Sequence, residues 1–295
     1  MTPMIYDLRV AIRYDYDAPS LNARNLLRVM PMNRPGVQRR ITGALSIEPG
    51  PDARSERQDF FGNAVTEVIF QRAVAALEFT TVARVERRPP PERLDLSPEL
   101  DRLRAEISEG RDLTASSPHH FLGATPRAGH SAEIAAFARD TAPAGGTALE
   151  TVATIGRALH AEMRFEAGAT DVDTPPEEAF RARRGVCQDF THVMIVALRA
   201  LGLPAGYASG LIRTEPPPGQ PRLEGADAMH AWVRAWCGRE TGWVDYDPTN
   251  DLMVGTDHVS VAHGRDYADV APVKGALRSS GASHSNHAVD LVPVI

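Results

Sequence analysis

Cys187 stands where the sequence predicts the start of a helix, a position in which a cysteine can act as a nucleophile. Apolar residues recur with helical spacing at positions 187, 190, 194, 198 and 201, and Gly202 and Pro204 follow the run. Unpaired N–H groups and the helix dipole at such an N-terminus favour a thiolate, and the N–H groups could donate to an oxyanion during acyl transfer. The alternative is a small buried hydrophobic residue, and this segment alone does not decide between the two.

A base and its orienting carboxylate are predicted from a hairpin. Residues 230–236 and 241–248 alternate as two strands, and a four-residue loop between them would place His230 directly opposite Asp247. Directly paired residues share a sheet face with Cβ atoms roughly 5 Å apart, so the carboxylate would lie beside the imidazole. A lone histidine in a strand is more often structural. A His–Asp pair together with Cys187, however, completes the set of nucleophile, base and orienter that covalent catalysis requires.

Other residues that could do chemistry are given no role. Cys237 falls in the predicted turn of the hairpin, where we expect it to be exposed. His258 and His263 lie nearby in the sequence, but no ligand set of metal type and spacing surrounds them. The sequence therefore predicts neither a metal nor a cofactor.

Composition bounds the class of protein. The 295 residues are 43% hydrophobic and 24% charged, typical of a globular protein, and the net charge of -6 gives no reason to expect nucleic acid or a membrane surface as partner. Two cysteines cannot make a disulfide framework. The first residues alternate and carry charge, unlike a signal peptide, and no apolar run reaches the ~18 residues that a membrane span needs. A cytoplasmic location is the expectation.

The pattern of elements predicts two domains in an α+β chain. Strand-like runs at residues 5–14, 38–47, 64–70 and 77–84 predict an N-terminal β-sandwich over residues 1–90, which ends at the three prolines 89–91. Residues 91–295 form the second domain, with a core at about 145–270 and a C-terminal extension. Its predicted helices at 97–107 and 131–139 each begin at a serine cap, and a longer helix at 147–163 follows Gly145 and Gly146. A further helix begins at the capping Thr174 and stops at Gly185. The oligomeric state stays open.

Several motifs resemble the transglutaminase-like superfamily. They are Gly185-Val186-Cys187-Gln188-Asp189-Phe190 with His192, His230-Ala231-Trp232-Val233, and Gly242-Trp243 followed by Asp247-Pro248-Thr249-Asn250. Residues 264–270 resemble the bacterial branch whose members are described as cysteine proteases. Residues 28–31 and 59–63 are similar to the β-rich N-terminal region of that branch. The resemblance covers nearly the whole chain.

The resemblance implies a papain-like arrangement, with a helix-borne cysteine packed on an antiparallel sheet that carries His and Asp. Cys187 would be the nucleophile, His230 the base and acid, and Asp247 the orienter. The second oxyanion donor, and any role of residues 265–269, stay unidentified. The expected reaction is hydrolysis of a peptide or isopeptide bond through a thioester. The alternatives are acyl transfer to an amine with the same triad and, from another class, a non-catalytic binding module. The partner would be a peptide or protein substrate.

Overall fold

The N-terminal part of the chain is rich in strands. We describe it from a computed structural model that covers residues 2–90, 94–214, 227–278 and 282–294. The four strand-like runs predicted from the sequence are confirmed. A further strand was not predicted, because its six residues are all exposed and lack the alternation of a half-buried strand. The strands are β1 (Met4–Leu27), β2 (Gln38–Glu48), β3 (Ala53–Gln58), β4 (Ala64–Phe70) and β5 (Val74–Arg87).

The remaining elements mix helices and strands, so the predicted α+β class is confirmed. The helices are α1 (Leu100–Glu109), α2 (Ala132–Thr141), α3 (Ala148–Glu162), α4 (Pro176–Ala182), α5 (Cys187–Ala200) and α6 (Tyr267–Val270). The strands are β6 (Arg164–Phe165), β7 (Arg184–Gly185), β8 (Ala205–Ile212), β9 (Ala228–Trp236), β10 (Trp243–Asp247), β11 (Leu252–Met253), β12 (His258–Gly264), β13 (Val273–Arg278) and β14 (Ser283–Val294).

The 24-residue strand β1 organises the first sheet. It lies in the middle of the order β2-β5-β1-β4-β3, pairing along its first half with β5 and near its end with β4. The two C-terminal strands β13 and β14 also pair with β1. The chain therefore returns to its first sheet after residue 272. The strand-rich N-terminal region is confirmed, whereas the sandwich packing and the division into residues 1–90 and 91–295 stay predictions.

Two of the predicted helix starts are confirmed by their caps. Ser131 accepts a hydrogen bond from the N–H of Ile134, and Thr147 accepts one from Glu150. Ser97 caps a different helix from the one predicted. Its hydroxyl accepts from the N–H of Leu149 in the first turn of α3, while α1 begins later, at Leu100.

The helix before the nucleophile begins and ends differently from the sequence prediction. α4 begins at Pro176 with Pro175 as its N-cap, one residue beyond the expected Thr174. It ends at Ala182, and Arg183 caps it in the left-handed conformation with φ of 52°, so Gly185 is not its stop. Gly185 lies in the short strand β7.

A second, five-stranded antiparallel sheet carries the candidate site. Its order is β11-β10-β9-β8-β12, and α5 packs against β8 and β9. All residues of α5 from Asp189 to Leu198 are buried, which places this helix in the centre of the larger core cluster. The arrangement of a helix on an antiparallel sheet agrees with the prediction. Within the described residues, no helix is both long and apolar enough to cross a membrane.

Candidate active site

Cys187 is the first residue of α5, as predicted, and its surroundings fix that helix start. The carboxylate of Asp189 accepts hydrogen bonds from the N–H of Val186 at 2.7 Å and from the hydroxyl of Thr170 at 2.6 Å. A Cβ at position 185 would lie 2.5 Å from an oxygen of Asp189, so the turn before the cysteine requires glycine there. Cys187 itself is half-buried. Its backbone N–H lies in the first turn, among the groups that an α-helix leaves free to donate.

The β9–β10 hairpin has a longer loop than the sequence suggested. Trp236 pairs with Trp243, and the loop of residues 237–242 is closed by hydrogen bonds between Cys237 and Gly242 and between Gly242 and Gly238. Both glycines have positive φ, which favours this six-residue turn. The predicted register was therefore wrong by two residues.

The register error does not separate the base from its carboxylate. Continuing the observed pairing sets Asp247 opposite Trp232 instead of opposite His230. Because side chains alternate with a period of two, a shift of two residues leaves His230 and Asp247 on the same face. The Nε2 atom of His230 lies 2.7 Å from Oδ2 of Asp247. The predicted neighbours are thus in contact, on a diagonal instead of directly across the strands.

Asp247 is fully buried, and its own motif satisfies its oxygens. The backbone N–H groups of Thr249 and Asn250 donate to Oδ1, and the amide of Asn250 donates to Oδ2 at 2.7 Å. Burial alone would raise the pKa of Asp247, but hydrogen bonds from His230, His258 and Asn250 hold that pKa well below its usual range. Asp247 is therefore an ionised carboxylate.

His230 connects the carboxylate to the nucleophile. Burial alone would lower its pKa, but hydrogen bonding to Asp247 and to the thiol of Cys187, together with their charges, raises the pKa of His230 to about 10. Since Nε2 faces Asp247, Nδ1 is the nitrogen left for Cys187. The structure thus brings the three sequence-predicted residues together. An imidazolium that contacts both a buried carboxylate and a cysteine sulfur is the arrangement that a cysteine nucleophile needs.

His258 is a member of the cluster that sequence reasoning passed over. It is buried on β12, and its Nε2 lies 3.1 Å from the same Asp247 oxygen that His230 contacts. The rings of Trp232 and His258 pack in a T-shaped arrangement, with 5.2 Å between centroids. The sequence alone shows His258 only as a histidine near the hairpin. Its place beside Asp247 follows from the pairing of β12 with β8, two strands that are far apart in the chain.

His230, Asp247 and His258 also have the donor types of a metal site, with ligand atoms within 4.8 Å of one another. Each histidine, however, directs its Nε2 at the same carboxylate oxygen at hydrogen-bonding distance. A metal-bound histidine normally donates its other N–H to an acceptor, and the buried Nδ1 of His258 has no hydrogen-bond partner in the described parts of the chain. The donor set therefore fits a hydrogen-bonded cluster better than a metal centre.

Asp245 and Cys237, which lie near the candidate residues in the sequence, are outside the site. Asp245 is bound by Arg34 at 2.5 Å and by Arg234 at 3.0 Å, and Arg234 also contacts His263 at 2.7 Å. These ion pairs link the N-terminal region to the second sheet.

Cys237 is completely buried, contrary to the expected exposed turn, and burial raises the pKa of its thiol.

The motif at residues 264–270, for which the sequence suggested no role, positions a cleft residue. Arg265 donates three hydrogen bonds to Asp269, one from its backbone N–H and two from its guanidinium. The carboxylate of Asp266 accepts from the N–H of Ala268 at the start of α6. The N–H of Tyr267 donates to Nε2 of His192 at 3.2 Å. Burial lowers the pKa of His192 to about 4, so its imidazole is neutral and can accept. His192, which belongs to the motif around Cys187 on α5, therefore helps to position Tyr267.

A cleft of about 230 Å³ opens over Cys187 and His230. One wall is formed by α5, β8 and β9. Another wall is contributed by β1, β13 and β14 of the first sheet, so both regions of the chain build the cleft. The lining residues are Ile12, Tyr14, Val186, Cys187, Gln188, Tyr207, Ser209, Met229, His230, Ala231, Tyr267, Pro272, Val273 and His287.

Family models match both regions of the chain. One, described as the transglutaminase-like superfamily, matches residues 135–248, which include all three candidate residues. Another, described as the bacterial transglutaminase-like N-terminal region, matches residues 6–86. An uncharacterized protein of Mycobacterium tuberculosis (strain ATCC 25618 / H37Rv) is 34% identical over 288 residues, which cover 94% of this chain and 87% of that relative.

Two further comparisons concern proteins with a named activity. A crystal structure described as a "putative cysteine protease" from Cytophaga hutchinsonii covers 100% of this chain and 92% of its own, with a TM-score of 0.77 and 19% sequence identity. That likeness is one of fold. A protein-glutamine gamma-glutamyltransferase of Pseudomonas aeruginosa is 36% identical over 85 residues, which are 28% of this chain and 12% of that protein.

Proposed function

Because the chain belongs to the transglutaminase-like superfamily, we propose that it is a cysteine-dependent hydrolase of peptide or isopeptide amide bonds. The observation that carries the proposal is the continuous contact from Cys187 through His230 to Asp247. A cysteine with only a packing role would not need to contact an imidazolium that is itself hydrogen-bonded to an ionised carboxylate.

The first half of the reaction forms a thioester. The thiolate of Cys187 attacks the carbonyl carbon, and the resulting oxyanion accepts hydrogen bonds from N–H groups at the start of α5. As the tetrahedral intermediate collapses, the C–N bond breaks and the proton on Nδ1 of His230 passes to the departing amine. The products of this half are a free amine and an acyl group on Cys187.

The second half returns the enzyme to its starting state. His230, now neutral, removes a proton from water as the oxygen attacks the thioester carbon. The C–S bond breaks, a carboxylic acid leaves, and the thiolate of Cys187 faces an imidazolium again. Throughout, Asp247 accepts from Nε2 of His230, which fixes the tautomer and stabilises the cation.

Transfer of the acyl group to an amine is the second candidate reaction. The similarity to the gamma-glutamyltransferase of Pseudomonas aeruginosa favours it, although that similarity spans only 85 residues. The two reactions share the thioester and differ in whether water or an amine reaches it. For either reaction we propose a peptide or protein as the substrate and the cytoplasm as the location.

The experiment is to incubate the protein with a peptide library, with and without a primary amine such as cadaverine, and to follow protein and peptides by mass spectrometry. We expect cleaved peptides and an acyl adduct that maps to Cys187. Cys187→Ala should abolish both, and Cys237→Ala, which changes the buried cysteine outside the site, should retain both. Amine-linked peptides without hydrolysis would support transfer instead. Turnover that survives in Cys187→Ala would contradict the proposal.

A further inference from the structure

One wall of the cleft that contains Cys187 comes from the first sheet. Ile12 and Tyr14 lie on β1 and reach the cleft from the same face of that strand. His287 on β14 is the direct cross-strand partner of Ile12, so its side chain lies beside this pair at the mouth of the cleft. Val273 on β13 adds a further apolar group. A substrate carbonyl at Cys187 would therefore bring its neighbouring groups against this wall.

No aspartate, glutamate, lysine or arginine lines the cleft within the described parts of the chain. The charged residues nearest in sequence to Tyr14 are Arg13 and Asp15, which alternate to the opposite face of β1, are exposed, and pair with each other at 2.7 Å. Polar contacts in the cleft come from neutral groups such as the hydroxyl of Ser209 and the amide of Gln188. Among the described residues that line the cleft, the positive charge on His230 is already engaged by Asp247 and Cys187.

A charged side chain that entered this cleft would lose hydration without gaining an ionic partner, and that loss is costly. An aliphatic or aromatic side chain would instead bury apolar area against Ile12, Tyr14 and Val273. The volume of about 230 Å³ lies below the roughly 300–1,000 Å³ of pockets for drug-sized ligands. The space therefore suits one side chain with its flanking backbone.

We propose, building on the function proposed above, that the wall of β1, β13 and β14 is the subsite for the acyl side of the substrate and selects an uncharged, apolar or aromatic residue. Tyr14 and His287 are the residues that set this selectivity, Tyr14 by packing and His287 by its position at the mouth. An exposed histidine is neutral at pH 8, so the mouth carries no charge there.

The test uses acetyl-alanyl-Xaa chloromethyl ketones at pH 8, with leucine, phenylalanine, glutamate or lysine as Xaa. These probes alkylate an active cysteine and contain only the acyl side of a substrate, so they report on this subsite alone. The rate of Cys187 alkylation is measured by peptide mapping. We expect the leucine and phenylalanine probes to react at least about tenfold faster than the glutamate and lysine probes, because the charged side chains must be desolvated without a partner.

Variants of His287 then test whether the residue at this position sets the selectivity of the subsite. His287→Glu should raise the rate of the lysine probe relative to the leucine probe, and His287→Lys should do the same for the glutamate probe. His287→Gln keeps the residue uncharged and should leave the ranking of the four probes unchanged. His284→Glu is the matched control, because His284 lies on the same strand and is exposed, with its side chain near Asp17 and outside the cleft.

The outcomes separate the two proposals. Equal rates for all four probes at Cys187, or a ranking that the charged His287 variants do not alter, would overturn the selectivity inference and leave the cysteine hydrolase standing. If none of the probes alkylates Cys187, the proposed function fails, and this inference fails with it.

Discussion

The imidazole of His230 and the carboxylate of Asp247 meet through a hydrogen bond of 2.7 Å between Nε2 and Oδ2. Because this contact uses Nε2, Nδ1 is the nitrogen that would carry the proton in the reaction that we propose. Asp247 cannot rotate away, since backbone N–H groups of Thr249 and Asn250 hold its other oxygen. The relationship fixes both the tautomer of the base and the direction in which it delivers its proton.

Replacing Asp247 by asparagine should reduce kcat by about 10²–10⁴-fold, because the amide no longer stabilises the imidazolium and can favour the wrong tautomer. The measurement is the rate of peptide cleavage under saturating substrate. Asp140→Asn, an exposed position on α2, serves as the control and should retain full activity. Full activity in Asp247→Asn would require another residue to orient His230.

Replacing His258 by phenylalanine should lower kcat about tenfold with little change in KM, because a hydrogen bond to the Asp247 carboxylate is lost while the cleft keeps its lining. His258→Gln can still donate to Asp247 and should recover part of the rate. Circular dichroism and thermal unfolding would show that both variants fold. Parallel losses in both variants, or an effect on KM alone, would contradict a positioning role.

Gly210 should not tolerate a side chain. A Cβ at this position would lie 2.3 Å from the ring of Trp232 and 2.3 Å from the carbonyl oxygen of Val259. Because backbone cannot move aside cheaply, Gly210→Ala should lower the free energy of unfolding by about 1–3 kcal/mol. Gly129→Ala, where nothing lies within 4 Å, is the matched control. Chemical denaturation compares the two, and equal stability would mean that Trp232 has room to shift.

The candidate triad could be predicted from the sequence, even though one step of the derivation was wrong. The alternation of the two strands predicts a hairpin loop of four residues, whereas the loop has six. The register was wrong by two residues, and a shift by an even number of residues keeps every side chain on the same face of the sheet. The predicted contact between His230 and Asp247 is therefore still formed. An error of one residue would have moved Asp247 to the other face.

Features that depend on distant pairing were not predictable in this way. His258 reaches Asp247 because β12 pairs with β8, and no local pattern signals that pairing. The cleft wall has the same origin, since Ile12 and His287 are cross-strand partners separated by most of the chain. Burial of Cys237 was also missed, because a turn next to a core cluster has the same local composition as a turn in solvent.

Asp247 should contribute stability that is lost in acid. Its folded pKa lies well below the ordinary unfolded value, so the unfolded chain binds a proton first as the pH falls. The contribution is fully present above the unfolded pKa of about 3.9 and declines below it. We expect the difference in unfolding free energy between the wild type and Asp247→Asn to shrink by about 1 kcal/mol from pH 6 to pH 3, measured by urea denaturation. A constant difference would show that the carboxylate gains nothing from its partners.

The reactivity of the two cysteines at low pH tests the charge state of the centre. The pKa of His230, raised to about 10 by its contacts with Asp247 and Cys187, keeps its imidazolium present at pH 6 and at pH 8. An imidazolium beside a cysteine increases the reactivity of that cysteine towards alkylating agents. An ordinary thiol, with a pKa near 8.5, is less than about 1% ionised at pH 6. Brief iodoacetamide treatment of the folded protein at pH 6 should therefore label Cys187.

Cys237 provides the internal reference, because it is buried and burial raises the pKa of its thiol. It should stay unlabelled in the folded protein and react only after unfolding in urea. His230→Ala should slow labelling of Cys187 at pH 6 by at least about tenfold, with a smaller difference at pH 9, where ordinary thiols also ionise. The helix N-terminus alone would preserve only part of the low-pH reactivity. Equal labelling of Cys187 at pH 6 in the wild type and in His230→Ala would mean that the imidazole does not activate the thiol, and the proposed mechanism would lose its first step.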